Sequence, residues 1–342
     1  MTFDLRPSRL SIMPDRIKLA FIGCGGITAA HLDQGLKQFP DVAFVGWCDP
    51  SEDHAQARRA QVGGHGEIFN DPDRMIGATR PDAVYVMLPP FAHGEAEEAM
   101  LAHRLPFFIE KPVDLDLARA ERTLKAVKSK RLITAVGYMN RYRYGVRRVR
   151  EMLADRSRRL VLMHGGWIAS MCPEKYFWLV EKKQSGGQVV EQSTHTLDLM
   201  RHFGGDVVSV SAVPVTGRLR RPRWYTAEDA SLVTLTFRNG AAATLYSSWA
   251  TPHGDVSLEV HATDFGACFR EWAHHCTIRH GREEISIAAE PDIFGIEDRA
   301  FIDAVRTGDR SGIEADYADG VATLRVALAA NRSMKTGRVV KF

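Results

Sequence analysis

The sequence predicts an α/β Rossmann domain on a doubly wound parallel sheet, followed by an α+β domain with an open, largely antiparallel sheet. Three observations carry this. Short, uniformly apolar runs alternate with helix-length segments up to Val136, as strands buried on both faces require. The first run enters a glycine turn, Gly23-Cys24-Gly25-Gly26, that opens a helical segment. After Gly205 the pattern changes to alternating strands, with Asn239-Gly240 as a hairpin turn pair. The expected division is a loose leader at 1–15, a dinucleotide-binding domain at 16–138, and a substrate-binding and oligomerisation domain at 139–342.

Composition sets the class. The 342 residues suffice for two domains at ~100–200 residues each. A content of 45% hydrophobic and 25% charged residues is that of a globular protein with a sizeable core. A net charge of +3 argues against nucleic acid or an anionic membrane as partner. The first residues hold no apolar signal-peptide core, and the apolar runs are too short to span a membrane. Five cysteines without a Cys-x-x-Cys fit a reducing, cytoplasmic setting.

Taken in order, Ile17–Ile22 is a buried strand and the segment from Ile27 to Gln38 a helix. Glycines between them let a pyrophosphate approach the amides at the helix N-terminus; a side chain at Gly25 would hold it away. Thr28 occupies the third glycine position of that fingerprint. Gly23, Gly25, Gly26, Ile27 and Thr28 are therefore expected at the cofactor. Val42–Cys48 is the second strand. It ends at Asp49, 24 residues after Gly25. A carboxylate there accepts hydrogen bonds from ribose hydroxyls and repels a 2′-phosphate, so NAD is expected rather than NADP. Strands at 82–88, 106–109 and 132–136 follow, with helices from Ser51, over 92–103 and over 115–129, the last capped by Asp114 or Asp116. In such a sheet ligands lie beyond the C-terminal strand ends. Asp49, Pro89-Pro90, Glu110-Lys111-Pro112 and Gly137–Arg141 all fall there.

The second domain begins with a basic helix over 141–154, read as a solvated face, and a strand over 160–169. The segment 170–185 carries Tyr176, Phe177 and Trp178. It is either a lid, where Trp178 stacks on a carbohydrate, or a packed interface. One helix is expected from Ser185 to Gly205. It would place Glu191, His195 and Asp198 at i, i+4 and i+7 on one face. Strands at 207–215, 230–237, 241–249, 256–262, 267–272 and 277–279 follow, then helices at 293–306 and 317–334 and a strand at Val339-Val340.

Glu110-Lys111-Pro112 after a buried strand, with Gly186-Gly187 and Glu191-x-x-x-His195-x-x-Asp198, resembles the glucose–fructose oxidoreductase, inositol dehydrogenase and rhizopine catabolism (Gfo/Idh/MocA) family. The resemblance runs from Ile17 to about Arg338. It implies that Lys111 is catalytic and that Glu191 and His195 supply the acid–base pair. It places Leu88, Pro89 and His93 at the cofactor, where Glu110, Lys111 and Asn140 are also expected, and Lys111, Glu191 and His195 at the substrate; the residues themselves suggest that Arg141 and Trp178 reach the substrate too. Glu191 stands where the family has Asp, one methylene longer.

The chemistry of the residues agrees. Oxidising a secondary alcohol needs a hydride acceptor and a base. His195 titrates near neutrality at ~6.5, and Lys111, at ~10.4, carries a charge for the substrate oxygen. Glu191 is expected to orient the imidazole, and Asp198 to hold the helix. The reading is an NAD-dependent oxidoreductase acting on a sugar, sugar acid or cyclitol. A non-catalytic NAD-bound sugar sensor or repressor, and an NAD-assisted lyase or glycosidase, stand as alternatives. No metal is expected, at Glu191–Asp198 or at Cys268, His274, His275 and Cys276. The open sheet should pair with another copy as a homodimer or homotetramer.

Overall fold

The computed structural model describes residues 16–170 and 177–342. The leader, Cys172 and Tyr176 lie outside the described residues.

The first sheet is six-stranded and parallel: β1 Ile17–Ile22, β2 Val42–Cys48, β3 Glu67–Phe69, β4 Ala83–Val86, β5 Phe107–Ile109 and β6 Thr134–Val136, in the order β3-β2-β1-β4-β5-β6. Strand order reverses between β1 and β4, and their C-terminal ends open a crevice there. Phe21, Trp47 and Tyr85 stack across β2, β1 and β4 with ring centroids 4.7 and 5.0 Å apart. Burying each such side chain contributes about 1.5–3 kcal/mol. Two elements went unread in the sequence, β3 and the helix Pro72–Thr79. β3 is three residues at the sheet edge, too short to show a period. The helix is capped by Asp71, whose side chain accepts from the Arg74 N–H, with Pro72 in its first turn. Asp116, not Asp114, caps the helix Leu117–Lys130.

The second sheet has nine strands: β7 Leu160–Ser170, β8 Val207–Val215, β9 Ala230–Phe237, β10 Ala242–Ser248, β11 Ala250–Ala262, β12 Phe265–Arg270, β13 His275–His280, β14 Glu283–Ile287 and β15 Val340–Lys341. All pairs are antiparallel except β10 with β7. Gly240, with φ +90°, makes the β9–β10 turn. β14 escaped sequence reading because it is short and mostly exposed, with only Ile285 and Ile287 to mark an alternation. One face of this sheet is packed by helices. The other presents Leu162 and His164 on β7, Leu232 on β9 and Val213 on β8 to solvent.

The C-terminal helices tie the sheets together. In the helix Ile293–Thr307, Phe301 packs edge-on against Tyr85 and Phe108 of the first core. A Cβ at Gly35 would stand 2.4 Å from the Gly295 Cα, so both glycines serve the close approach of two helices. The helix Tyr317–Thr336 sits between them: Gly320 lies on Val113 and Val136, and Ser333 Oγ accepts the Ala212 N–H of β8. Among the described residues no helix is long and apolar enough to cross a membrane.

Candidate active site

The crevice at the ends of β1 and β4 has the form a dinucleotide needs. A Cβ at Gly25 or Gly26 would meet nothing within 4 Å, so open space lies before the N-terminus of the helix Gly26–Gln34. Gly23 is needed for another reason: with φ +91°, its Cβ would stand 2.4 Å from the Met87 carbonyl. Thr28 turns inward, its hydroxyl donating to the Gly23 carbonyl at 2.8 Å, and so braces the turn. Ile27 packs against the cluster of Met139, Tyr142, Ile293 and Phe294. Asp49 accepts the Cys24 and Ser51 N–H groups, each at 2.8 Å, which fixes the carboxylate at the mouth of the turn. Arg58 folds back from the next helix to donate to the Gly25 carbonyl at 3.3 Å. A sequence distance of nine residues from Asp49 concealed that approach. Burial pushes the Cys24 and Cys48 thiols up to about 12, as inert core groups.

Deeper in the crevice three polar atoms are sealed without partners among the described residues: Nε2 of His93, Nδ2 of Asn140 and Nδ1 of His195. Orphaned buried donors and acceptors are rare unless something fills the space beside them. His93 Nδ1 is held by Glu97 at 2.6 Å, and Asn140 Oδ1 accepts from Arg143 Nε at 2.8 Å. Leu88 covers Gly23, and Pro89-Pro90 carries the chain from β4 into the short turn Pro90–Ala92. Glu110, expected at the cofactor, is turned beneath the strand ends. It lies 3.3 Å from His31 Nε2, and its carboxylate leaves no room for a Cβ at Gly137. His31 also meets Asp298 at 2.8 Å. Burial opposes its charge, but Asp298 and then Glu110 raise its pKa to about 10. This buried trio under the crevice had no signal in the sequence.

Lys111 projects from the end of β5 and donates to the Glu191 carbonyl at 2.9 Å and to its carboxylate at 3.0 Å. The expected continuous helix over 185–205 is broken. A single turn, Gln188–Glu191, is followed by a separate helix, Thr194–Gly204. Ser193 N–H reaches back five residues to the Gln188 carbonyl at 2.8 Å, a wide turn that shifts the register. Tertiary bonds hold the break: Ser247 Oγ donates to Ser193 Oγ at 2.7 Å, and Trp249 Nε1 to Gln192 Oε1 at 2.6 Å. Glu191 and His195 therefore do not share a helix face. Among the described residues Glu191 bonds Lys111 and not His195, which corrects its expected role of orienting the imidazole.

His195 begins the second helix, 5% exposed, ringed by Tyr138 and Trp272 edge-on at 6.1 Å each and by Trp167 at 5.8 Å. Burial, then the Lys111 charge and His274, hold its pKa well below the usual histidine range. It stands as a neutral imidazole beside a lysine. Nothing in the sequence placed Trp167, Trp272 or His274 beside His195; they lie on or beside unremarkable strands. His274, with φ +56°, binds the Trp272 carbonyl through Nδ1 at 3.0 Å, and burial lowers its pKa to about 4. His275 is exposed and Cys276 is buried against Gly145, so the two side chains leave the strand on opposite faces.

Arg141, expected at the substrate, is committed elsewhere. Its guanidinium grips Asp198 through two 2.7 Å bonds and donates to the Glu314 carbonyl at 2.7 Å. Asp198 also accepts from Thr323 Oγ1 at 2.9 Å, so this carboxylate anchors the helix that carries His195. Trp178 stands half-buried across from Phe91, centroids 6.2 Å apart, where the second domain meets the turn after β4.

Residues 17–138 match the model of an oxidoreductase family with an NAD-binding Rossmann fold, and residues 146–266 match the GFO/IDH/MocA C-terminal domain. The chain belongs to the GFO/IDH/MocA family of oxidoreductases. It is 27% identical to the scyllo-inositol 2-dehydrogenase (NAD(+)) of Bacillus subtilis, covering 96% of this chain and 97% of that one. Among solved structures, myo-inositol 2-dehydrogenase from Lactobacillus plantarum superposes with a TM-score of 0.81 at 22% identity, over 96% of this chain and 100% of that one. The WlbA dehydrogenase from Bordetella pertussis, in complex with NADH and UDP-GlcNAcA, does so at 0.80 and 21%, over 96% and 99%. These likenesses cover both domains, in keeping with the fold of the family.

Proposed function

We propose that this oxidoreductase uses NAD to interconvert a secondary alcohol and a ketone on a cyclitol, sugar or sugar acid. The observation that carries the reading is that Lys111, from the end of β5, bonds Glu191 of the second domain while its charge acts on the buried His195. The amides around Gly25–Ile27 would hold the pyrophosphate, Asp49 the adenosine ribose, and His93 and Asn140 the nicotinamide end. NAD bound there would supply the hydride acceptor or donor that the chain itself lacks.

The chain's own residues handle the proton and the oxygen. Neutral His195 takes the hydroxyl proton, and its desolvated ring returns it in the reverse direction. Lys111, aimed by Glu191, donates to the substrate oxygen and stabilises the charge that builds on it. Trp167 and Trp272 exclude water around the imidazole. Asp49 supports NAD over NADP; Arg58 at the turn is the residue that would have to welcome a 2′-phosphate. A cytoplasmic setting accords with the buried free thiols. The open face of the nine-stranded sheet supports a homodimer or homotetramer. Residues 16–138 and 139–342 then act as cofactor and substrate halves.

The test is a panel of cyclitols, polyols and sugar acids read by NADH absorbance, NAD beside NADP, with His195→Ala and Lys111→Ala. Each variant should lose about 10²–10⁴-fold in turnover while still binding NADH. Wild-type turnover in either variant would overturn the assignment.

A further inference from the structure

The open face of the second sheet carries a second cluster of chemistry-bearing side chains, away from the cleft. His164 on β7 and Glu259 on β11 are directly paired across the two strands, and His261 lies two residues further along β11 on the same face. The alternation of the strands puts all three on the solvent side: Met163, Leu258 and Val260 between them are fully buried on the other. Glu259 Oε2 lies 3.1 Å from His164 Nε2 and 3.7 Å from His261 Nε2. The two imidazoles stack at 5.6 Å between centroids with planes 16° apart. Among the described residues, this is the one group of three histidine, cysteine or acidic side chains whose donor atoms all fall within 4.8 Å of one another.

The two carboxylate–imidazole separations match a metal ion's first shell, and the two imidazole donors lie within 4.8 Å of each other. Tetrahedral coordination with bonds of ~2.0–2.1 Å puts neighbouring donor atoms roughly 3.3–3.4 Å apart, and the two distances here bracket that value. We propose that His164 Nε2, His261 Nε2 and Glu259 Oε2 bind one divalent transition-metal ion of the zinc class, its fourth position left to a water or to a donor of the copy that covers this face. Two imidazoles and a carboxylate suit Zn²⁺ or Co²⁺ and not the oxygen-seeking Mg²⁺. Arg270 on β12 pairs with the other Glu259 oxygen, Oε1, and so turns Oε2 toward the histidines, as an outer partner that orients a ligating carboxylate does. The ion would clip β7 to β11 at the centre of the sheet. It takes no part in the cleft's chemistry, because the catalytic helix packs on the opposite face. The sequence gives no warning of the site: His164 and His261 are nearly a hundred residues apart and only strand register brings them together.

The full chain, carrying no polyhistidine tag and dialysed against chelator, is titrated with Zn²⁺ by calorimetry and with Co²⁺ by visible absorption. The expected result is one ion per chain, tetrahedral Co²⁺ bands without a thiolate charge-transfer band, a rise in melting temperature with Zn²⁺, and no response to Mg²⁺. His164→Ala, His261→Ala and Glu259→Gln should each weaken Zn²⁺ binding at least about tenfold, and the double histidine variant should abolish it. His275→Ala, an exposed histidine on the same sheet, should leave it unchanged. Absence of saturable 1:1 binding, retention of binding in the double variant, or a thiolate band placing the ion on a cysteine would each overturn the proposal.

Discussion

Asp198→Asn separates anchoring from catalysis on the helix that carries His195. In the wild type the Asp198 carboxylate takes Nε and Nη2 of Arg141 at 2.7 Å each and Thr323 Oγ1 at 2.9 Å, with side chains only 1% and 3% exposed for Asp198 and Arg141. Removing one member of a buried ion pair costs ~3–5 kcal/mol, because the surviving charge stays desolvated. Two features pull the cost to the lower end. Asparagine keeps one acceptor oxygen, and Arg141 retains Asp319 at 3.1 Å and the Glu314 carbonyl. The expected loss is therefore about 3 kcal/mol. At ~2.1 cal/mol/K per residue the unfolding entropy of this 342-residue chain is ~0.7 kcal/mol/K, so the melting temperature should fall by about 4 °C. Scanning calorimetry reads the fall; turnover measured well below the melting range should be largely retained. An unchanged melting temperature with turnover lost would refute the reasoning and move Asp198 into the catalytic machinery.

Three further outcomes follow from the same geometry. Because burial and Lys111 depress the His195 pKa, its neutral form persists as pH falls, so kcat/KM for alcohol oxidation should hold through pH 6.5 and decline only well below it; an acid limb at or above 6.5 would contradict this. His274 is buried with its pKa lowered to about 4, so the unfolded chain binds the extra proton between pH 6.5 and 4. Its stability contribution is whole above pH 6.5 and is lost as pH falls, about 2 kcal/mol between pH 7 and pH 5; urea unfolding of His274→Phe should show a correspondingly shallower pH slope, and an unaltered slope would refute it. Gly35→Ala places a Cβ 2.4 Å from the Gly295 Cα and should cost ~1–3 kcal/mol, seen as a lower urea midpoint; an unchanged midpoint would show that the two helices can part without cost.

The sequence by itself determined the architecture and the candidates for the reacting groups. Uniformly apolar strands, the Gly23–Gly26 turn, Asp49 at the end of β2, and the hairpin at Asn239-Gly240 are local signals, written in residues close together in the chain. Short-range sterics and strand burial suffice to read them. Lys111, Glu191 and His195 were likewise visible from their motifs. What only the tertiary structure decided is who meets whom. The helix expected over 185–205 breaks at Gln192-Ser193 because β10 and Trp249 supply hydrogen bonds that no local pattern announces, and that break turns Glu191 to Lys111 and away from His195. Arg141 left the expected substrate site because a carboxylate 57 residues away satisfies it in the dry interior. Trp167, Trp272 and His274 around the imidazole, the His31 trio beneath the crevice, and the histidines of the open face share one property. Their partners are set by strand register and helix packing, which depend on the whole chain, and a buried polar group must take whichever partner that packing brings within reach.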